Sequence, residues 1–315
     1  MDIVRILRDA IDRVPVGDHS TGLNAILRHI TAAIRHFERD RISDPDGFTD
    51  TIYRTNQSYE GSLKEAYRVL AGKDPVGKTT HEIEKYLDNN SVVRPRVLTQ
   101  LTRYRQDYRN PSTHDYKLDF DENEALLAIV SVCAFAKLLV DQISGKLVYN
   151  TASATTLGHD RNINIRSLDE LVSLASFIII DTISDIPKIN AITVETFPSL
   201  LSGRFDSYGM SSSLQWEATD GRYRWDVVVS KGDFCVAVEQ RWSIDTEYPG
   251  LLDAIRFSKL GLITDQSVGA AIIVVRMDEG PPYKSFEISS PNGRILLISR
   301  MDESHIRKFL TNEDG

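Results

Sequence analysis

The apolar residues of this chain keep one rhythm up to about residue 146 and another after about residue 165. In "MDIVRILRDAIDRV", Ile3, Ile6, Leu7, Ala10, Ile11 and Val14 recur at helical spacing. "STGLNAILRHITAAIRHFERDR" does the same with Leu23, Ile26, Leu27, Ile30, Ile34 and Phe37 behind a Ser/Thr start signal. "YEGSLKEAYRVLA", "THEIEKYL" and "RPRVLTQLTRYRQDYR" continue it, the last with Pro95 near its first turn. "DENEALLAIVSVCAFAKLLVDQIS" has acids in its first turn and a long apolar face, which predicts a core helix. The period then changes: "YRWDVVVS", "FCVAVEQRWS", "VGAAIIVVRM" and "GRILLISR" are strand-like, with "SKGD" as a hairpin turn between the first two. "SLDELVSLASFIIIDTISD", opened by Ser167 and Glu170 at capping-box spacing, "LLDAIRFSKLGLI" and "SHIRKFL" read as helices. The expectation is an α+β multidomain chain: an all-α bundle over 1–146, an aperiodic polar linker over 147–166, and an α/β domain with a central mixed sheet over 167–315.

A chain of 315 residues is long enough for two cores. Its 41% apolar and 26% charged residues are those of a globular protein. The net charge of −8 excludes a generic nucleic-acid coat but leaves room for a local basic patch. "VVRPRVLTQLTRYRQDYRN" carries five arginines against one aspartate. Cys133 and Cys235 each lie in an apolar run, which predicts buried free thiols and an intracellular protein. No apolar stretch reads as the roughly 18 residues of a membrane span, and the first residues do not resemble a signal peptide. The expected compartment is the cytoplasm, with no membrane partner.

"GKDPVGKT", Gly72 to Thr79, satisfies the phosphate-loop pattern G-x-x-x-x-G-K-[ST], and "FIIID" ending at Asp181 offers an acid for magnesium. The mechanism requires a strand to deliver that loop, and the residues before Gly72 have helical spacing. Asp181 lies within a capped helical pattern. Both are therefore read as structural.

"QDYRNPSTHDY", residues 106–116, places a permanent cation and a titratable imidazole five residues apart, between a basic run and a helical one. A long helix before and another after this segment, with Arg109, Asn110 and His114 in the pattern R-N-x-x-x-H, resembles the HEPN superfamily of ribonucleases. "RNPSTHDYKLDFDENEALLAIVSVCAFAKLLVDQI" is similar to HEPN domains of bacterial abortive-infection and toxin proteins. The resemblance covers about residues 1–146. It implies a metal-independent endoribonuclease with no cofactor, whose site is composed of two motifs meeting in a homodimer. It also implies a polar residue upstream facing the site, for which Glu60 and Lys64 have suitable spacing. Arg103 and Arg105 are the candidates for holding RNA.

The residue types suit that chemistry. RNA can be cut by attack of its own 2′-hydroxyl on the adjacent phosphate, which needs a base, an acid and positive charge on the phosphorane. Histidine supplies the proton transfers near neutral pH, and arginine offers a planar charged fork to phosphate oxygens. Asn110 would orient the imidazole or the phosphate, or cap the break. Pro111 is expected to keep Asn110 out of helical geometry.

In the second half, "WDVVVSKGDFCVAVEQRW" begins one strand with Asp226 and ends the next with Glu239, Gln240 and Arg241, and a helix and a strand follow. This resembles the PD-(D/E)XK nuclease core, in which such acids hold magnesium and activate water. Trp225 stands where that pattern has proline, and Arg241 where it has lysine. Arginine does not readily give up its proton, so the resemblance implies a degenerate domain used for recognition or assembly, with a protein or nucleic acid as trigger. The alternative is a metal-dependent DNA nuclease at Asp226 and Glu239 with Mg²⁺, and a third is a non-catalytic interaction protein. Trp216, Trp225 and Trp242 are read either as a stacking surface or as core.

Overall fold

The computed structural model describes residues 2–43, 47–93, 95–114, 119–154, 163–186, 192–218, 221, 223–242, 249–277, 280–288, 290–304 and 306, without the side chains of 40–43, 95, 96, 113, 114, 242 and 249. The chain divides into two compact units, Met1–Leu147 and Val148–Gly315.

The first unit is helical: α1 (Ile3–Asp12), α2 (Ser20–Ser43), α3 (Phe48–Leu70), α4 (Thr80–Asn89), α5 (Pro95–Tyr104), a π-helical turn (Arg105–Arg109), α6 (Asn110–His114) and α7 (Glu122–Ala154). Local chemistry sets several starts. Asp2 accepts the Arg5 N–H at the head of α1, and Thr79 with Glu82 forms a complete capping box on α4. α2 and α3 lie side by side, and they approach closely where Gly61 faces Ile26: a Cβ there would sit 3.1 Å from the Ile26 side chain. The core of this unit is aromatic where α3, α5 and α7 converge. Tyr59, Tyr104 and Phe135 are all buried, with ring centroids 5.0–5.8 Å apart.

Residues 72–79 form the connection from α3 to α4, with Gly72 and Gly77 at positive φ and Thr79 serving as the helix cap. No strand delivers this segment, and Asp181 lies inside α8 (Leu168–Asp185). The phosphate-loop pattern is a helix–helix connection.

Two expectations need correction. α7 runs on through Ala154, so residues 147–154 are helix rather than linker; 155–162 lie outside the described residues. α7 is also long and apolar enough to cross a bilayer by length and composition, contrary to the sequence reading, although half of its most apolar window is buried.

The second unit has α8, α9 (Phe197–Ser207), α10 (Pro249–Thr264) and the strands β1 (Ser211–Glu217), β2 (Arg224–Lys231), β3 (Phe234–Trp242), β4 (Ala270–Arg276), β5 (Lys284–Ile288) and β6 (Arg294–Ser299). Ser167 caps α8 as expected, but Glu170 returns to the Arg166 N–H instead of closing the box on Ser167. The strands form one mixed sheet in the order β1-β2-β3-β4-β6-β5. β1, β2 and β3 are antiparallel neighbours, β4 is parallel to both β3 and β6, and β5 is antiparallel to β6. The β2–β3 hairpin turns on Gly232 and Asp233, with Gly232 at φ 62°. Alternate residues serve two cores. Val227, Val229, Val236 and Val238 face α8 and α9, while Ala237, Ala271, Ile273 and Val275 face α10. The expected helix "SHIRKFL" falls largely outside the described residues.

Candidate functional sites

The Arg-Asn-Pro-Ser-Thr-His segment is presented by a slip in a helix. From Arg105 to Arg109 the hydrogen-bond ladder widens, and the Asn110 N–H reaches the Arg105 carbonyl, five residues back. Asn110 itself has helical angles (φ −69°, ψ −48°), which corrects the expectation that Pro111 would exclude it from a helix. Pro111 lacks the N–H that an unbroken α-ladder would use, and the π-turn is where the ladder slips to accommodate it.

This turn faces α3. Glu60 Oε1 lies 3.3 Å from Arg109 Nη2 and 3.4 Å from its Nε, and Arg109 Nη1 is 3.4 Å from Asn110 Oδ1. Three of the residues singled out from sequence, Glu60, Arg109 and Asn110, are therefore in direct contact. Lys64, one turn beyond Glu60, is half-buried. His114 closes α6, and its side chain lies outside the described residues. Arg103 is exposed. Arg105 is turned inward: its Nε donates to Glu84 Oε2 at 2.6 Å, and the Tyr59 hydroxyl donates to the other Glu84 oxygen. Burial pushes the Glu84 carboxyl up, against the opposing pull of the Arg105 and Arg109 guanidinium groups.

Several contributors lack any sequence signal of their own. The Tyr104 hydroxyl shares its one proton between Thr55 Oγ1 (2.6 Å) and Asn56 Oδ1 (2.9 Å). Asn56 Nδ2 donates to Ser112 Oγ (2.7 Å), and the Ser112 hydroxyl donates to the Arg109 carbonyl (3.1 Å). The one hint for Asn56 is its place a helical turn before Glu60.

The second candidate lies in the sheet of the other unit. Val227 pairs with Val238, so Asp226 and Glu239 stand opposite one another where the regular ladder ends. Asp226 Oδ2 accepts the Gln240 N–H at 2.9 Å, and Gln215 Nε2 is 3.4 Å from Asp226 Oδ1. Gln215 holds φ 52°, an uncommon conformation for a residue with a side chain. Glu239 Oε1 accepts from Arg241 Nη1 at 2.6 Å, whereas its buried Oε2 has no hydrogen-bond partner among the described residues. Burial, then the Asp226 charge, push the Glu239 carboxyl up to about 7, and Arg241 opposes them without cancelling. Burial also raises Asp226. Two facing carboxyls with one free oxygen suit a hard divalent cation in donor type. However, Arg241 already occupies one oxygen, and among the described residues no group of three or more acids, histidines or cysteines gathers for a metal.

The tryptophans do not share a surface. Trp225 is fully buried, its ring 4.4 Å from that of Tyr223, so it belongs to the core. Trp216 is partly exposed and donates to Asp265 Oδ2 at 3.0 Å. The Trp242 side chain lies outside the described residues. Cys133 is buried and Cys235 half-buried, both as free thiols.

No family model, curated protein or solved structure matches this chain.

Proposed function

We propose that the chain is a metal-independent endoribonuclease of HEPN type, acting in the cytoplasm as a homodimer through Arg109 and His114, with a toxin-like or antiviral-defence role. The observation that carries this reading is the π-turn that ends on Arg109, with its guanidinium held at Glu60 and Asn110. π-Turns inside helices are rare and concentrate at functional sites. The motif supplies a permanent cation in a defined orientation and an imidazole two residues beyond Ser112.

In the proposed reaction His114 takes the proton from an RNA 2′-hydroxyl, whose oxygen attacks the adjacent phosphorus. Arg109 donates to the phosphorane oxygens. The bond to the 5′-oxygen breaks, and His114 of a second copy gives that oxygen a proton, leaving a 2′,3′-cyclic phosphate and a 5′-hydroxyl. No cofactor enters, and DNA, without the 2′-hydroxyl, is not a substrate.

The test is cleavage of RNA in EDTA by the wild type, His114→Ala and Arg109→Ala. Cleavage should survive chelation and fall by roughly 10² to 10⁴ in either variant, and 2′-deoxy substitution at the cut site should block it. Wild-type rates in His114→Ala would refute the reading.

A second reading is favoured by the facing Asp226 and Glu239 carboxyls and the free Glu239 Oε2: a metal-dependent nuclease, expected on DNA. Nuclease activity abolished by EDTA and by Glu239→Gln, but indifferent to His114→Ala, would select it. Without activity, the same unit is a recognition domain for a protein or nucleic-acid trigger.

A further inference from the structure

We propose that Asn56 is a positioning residue for the Arg109–His114 turn, a role that rests on the ribonuclease reading above. The hydrogen bond between Asn56 and Ser112 has one possible direction. Ser112 spends its only proton on the Arg109 carbonyl, so toward Asn56 it must accept, and the nitrogen of the Asn56 amide must face it. The amide oxygen then faces Tyr104 and shares its hydroxyl proton with Thr55 Oγ1, because the Thr55 hydroxyl spends its own proton on the Ile52 carbonyl. Tyr104 to Asn56 to Ser112 to the Arg109 carbonyl is a head-to-tail chain in which each bond polarises the next. It starts at a buried tyrosine on α5, crosses α3 through a side chain only 6% exposed, and ends on the backbone of the residue carrying the cation.

Glu60 lies one turn further along the same face of α3 and holds the Arg109 guanidinium. α3 therefore grips the motif at two points, the backbone through Asn56 and the side chain through Glu60. Asn56 touches neither substrate nor the reacting atoms. It acts by fixing where Arg109 and the imidazole two residues past Ser112 stand, and displacements of about 1 Å in such groups can cost about 10²-fold in rate.

Asn56→Asp is nearly isosteric but cannot donate. Ser112 would have to reverse and release the Arg109 carbonyl. Ser112→Ala removes the same link at a half-buried position and guards against an Asn56→Asp protein that fails to fold. Both full-length variants are compared with wild type by amide hydrogen exchange over residues 109–114 and by steady-state RNA cleavage. The expected result is faster exchange confined to that segment and a kcat lower by about 10- to 100-fold with KM within about twofold. The double variant should be no worse than the poorer single one, since both remove one link. Unchanged exchange over 109–114 in both variants, or losses that multiply in the double variant, would overturn the proposal. If the wild type cuts no RNA, the ribonuclease reading fails on its own, and the exchange measurement decides whether Asn56 fixes the turn.

Discussion

Glu60 and Arg109, 49 residues apart in the chain, meet with Oε1 3.3 Å from Nη2 on a half-buried surface where neither side chain is fully desolvated. Such a pair adds little stability, and about 1 kcal/mol is an upper figure. Its effect is on orientation. Glu60→Gln should leave the thermal midpoint nearly unchanged while lowering RNA turnover about tenfold, because the fork is no longer aimed. Binding of a 2′-deoxy RNA analogue should tighten, since one negative charge beside the phosphate site is gone. Circular dichroism melts and a binding isotherm check both halves of this expectation.

Arg103 and Arg105 should behave differently although only Tyr104 separates them in sequence. Arg105 compensates a Glu84 carboxyl that is 4% exposed, so Arg105→Ala should destabilise the helical unit by about 3 kcal/mol. Arg103 is exposed, and its alanine variant should fold normally. If Arg103 contacts phosphate, the slope of log K against log salt should fall by about 0.7 for single-stranded RNA. Denaturant titration and salt-dependent binding separate the two roles.

The acid pair of the sheet predicts a pH dependence with a definite sign. The Glu239 carboxyl is raised from 4.5 to about 7, so between those values the folded protein binds a proton that the unfolded chain releases. Its contribution to stability is complete below about 4.5 and is lost as pH rises through about 7. Asp226 is raised in the same direction. Wild type should therefore lose stability relative to Glu239→Gln as pH increases across this window. Parallel melting curves for the two proteins would contradict it.

The fold was legible where one physical signal dominated. Helical spacing marked the first unit, β-branched alternation marked β2, β3, β4 and β6, and Thr79 through Glu82 showed why a phosphate-loop pattern can be only a capped helix start. The motif at Arg109 could be read because its residue types are chemically unusual together. Asn56 and Glu84 could not, since their importance lies in partners 56 and 21 residues away. Asn110 escapes the local rule for a residue before proline because the helix has already changed its hydrogen-bond spacing there. The end of α7 departs from the expected boundary because "NTASA" is weakly helical by itself, while Val148 and Ala152 are buried in an apolar cluster that favours the helix.

Gly261 on α10 predicts a steric effect limited to the second unit. A Cβ there would lie 2.3 Å from Trp225 Cζ2 and 2.6 Å from Cη2, and the ring is fully buried. Gly261→Ala should destabilise that unit by about 1–3 kcal/mol in spite of alanine's better helix propensity. RNA cleavage at low temperature should be retained. Tryptophan fluorescence during unfolding reports the change, and an unaltered midpoint would show that α10 can retreat from the sheet.

The π-turn at Arg105–Arg109 has a bearing on how this surface tolerates insertion and deletion. A π-turn carries one residue more than the α-turn it replaces. Losing a single residue there would restore an ordinary ladder and leave the residues downstream in register, whereas straightening the turn without that loss would rotate everything downstream by about 100° around the helix axis. Asn110 and Ser112 would still be present, in the same order and spacing, yet aimed away from Asn56 and Glu60. The phase of the helix carries information that the motif's letters do not, so two chains with the same R-N-x-x-x-H pattern can differ in whether it faces anything at all.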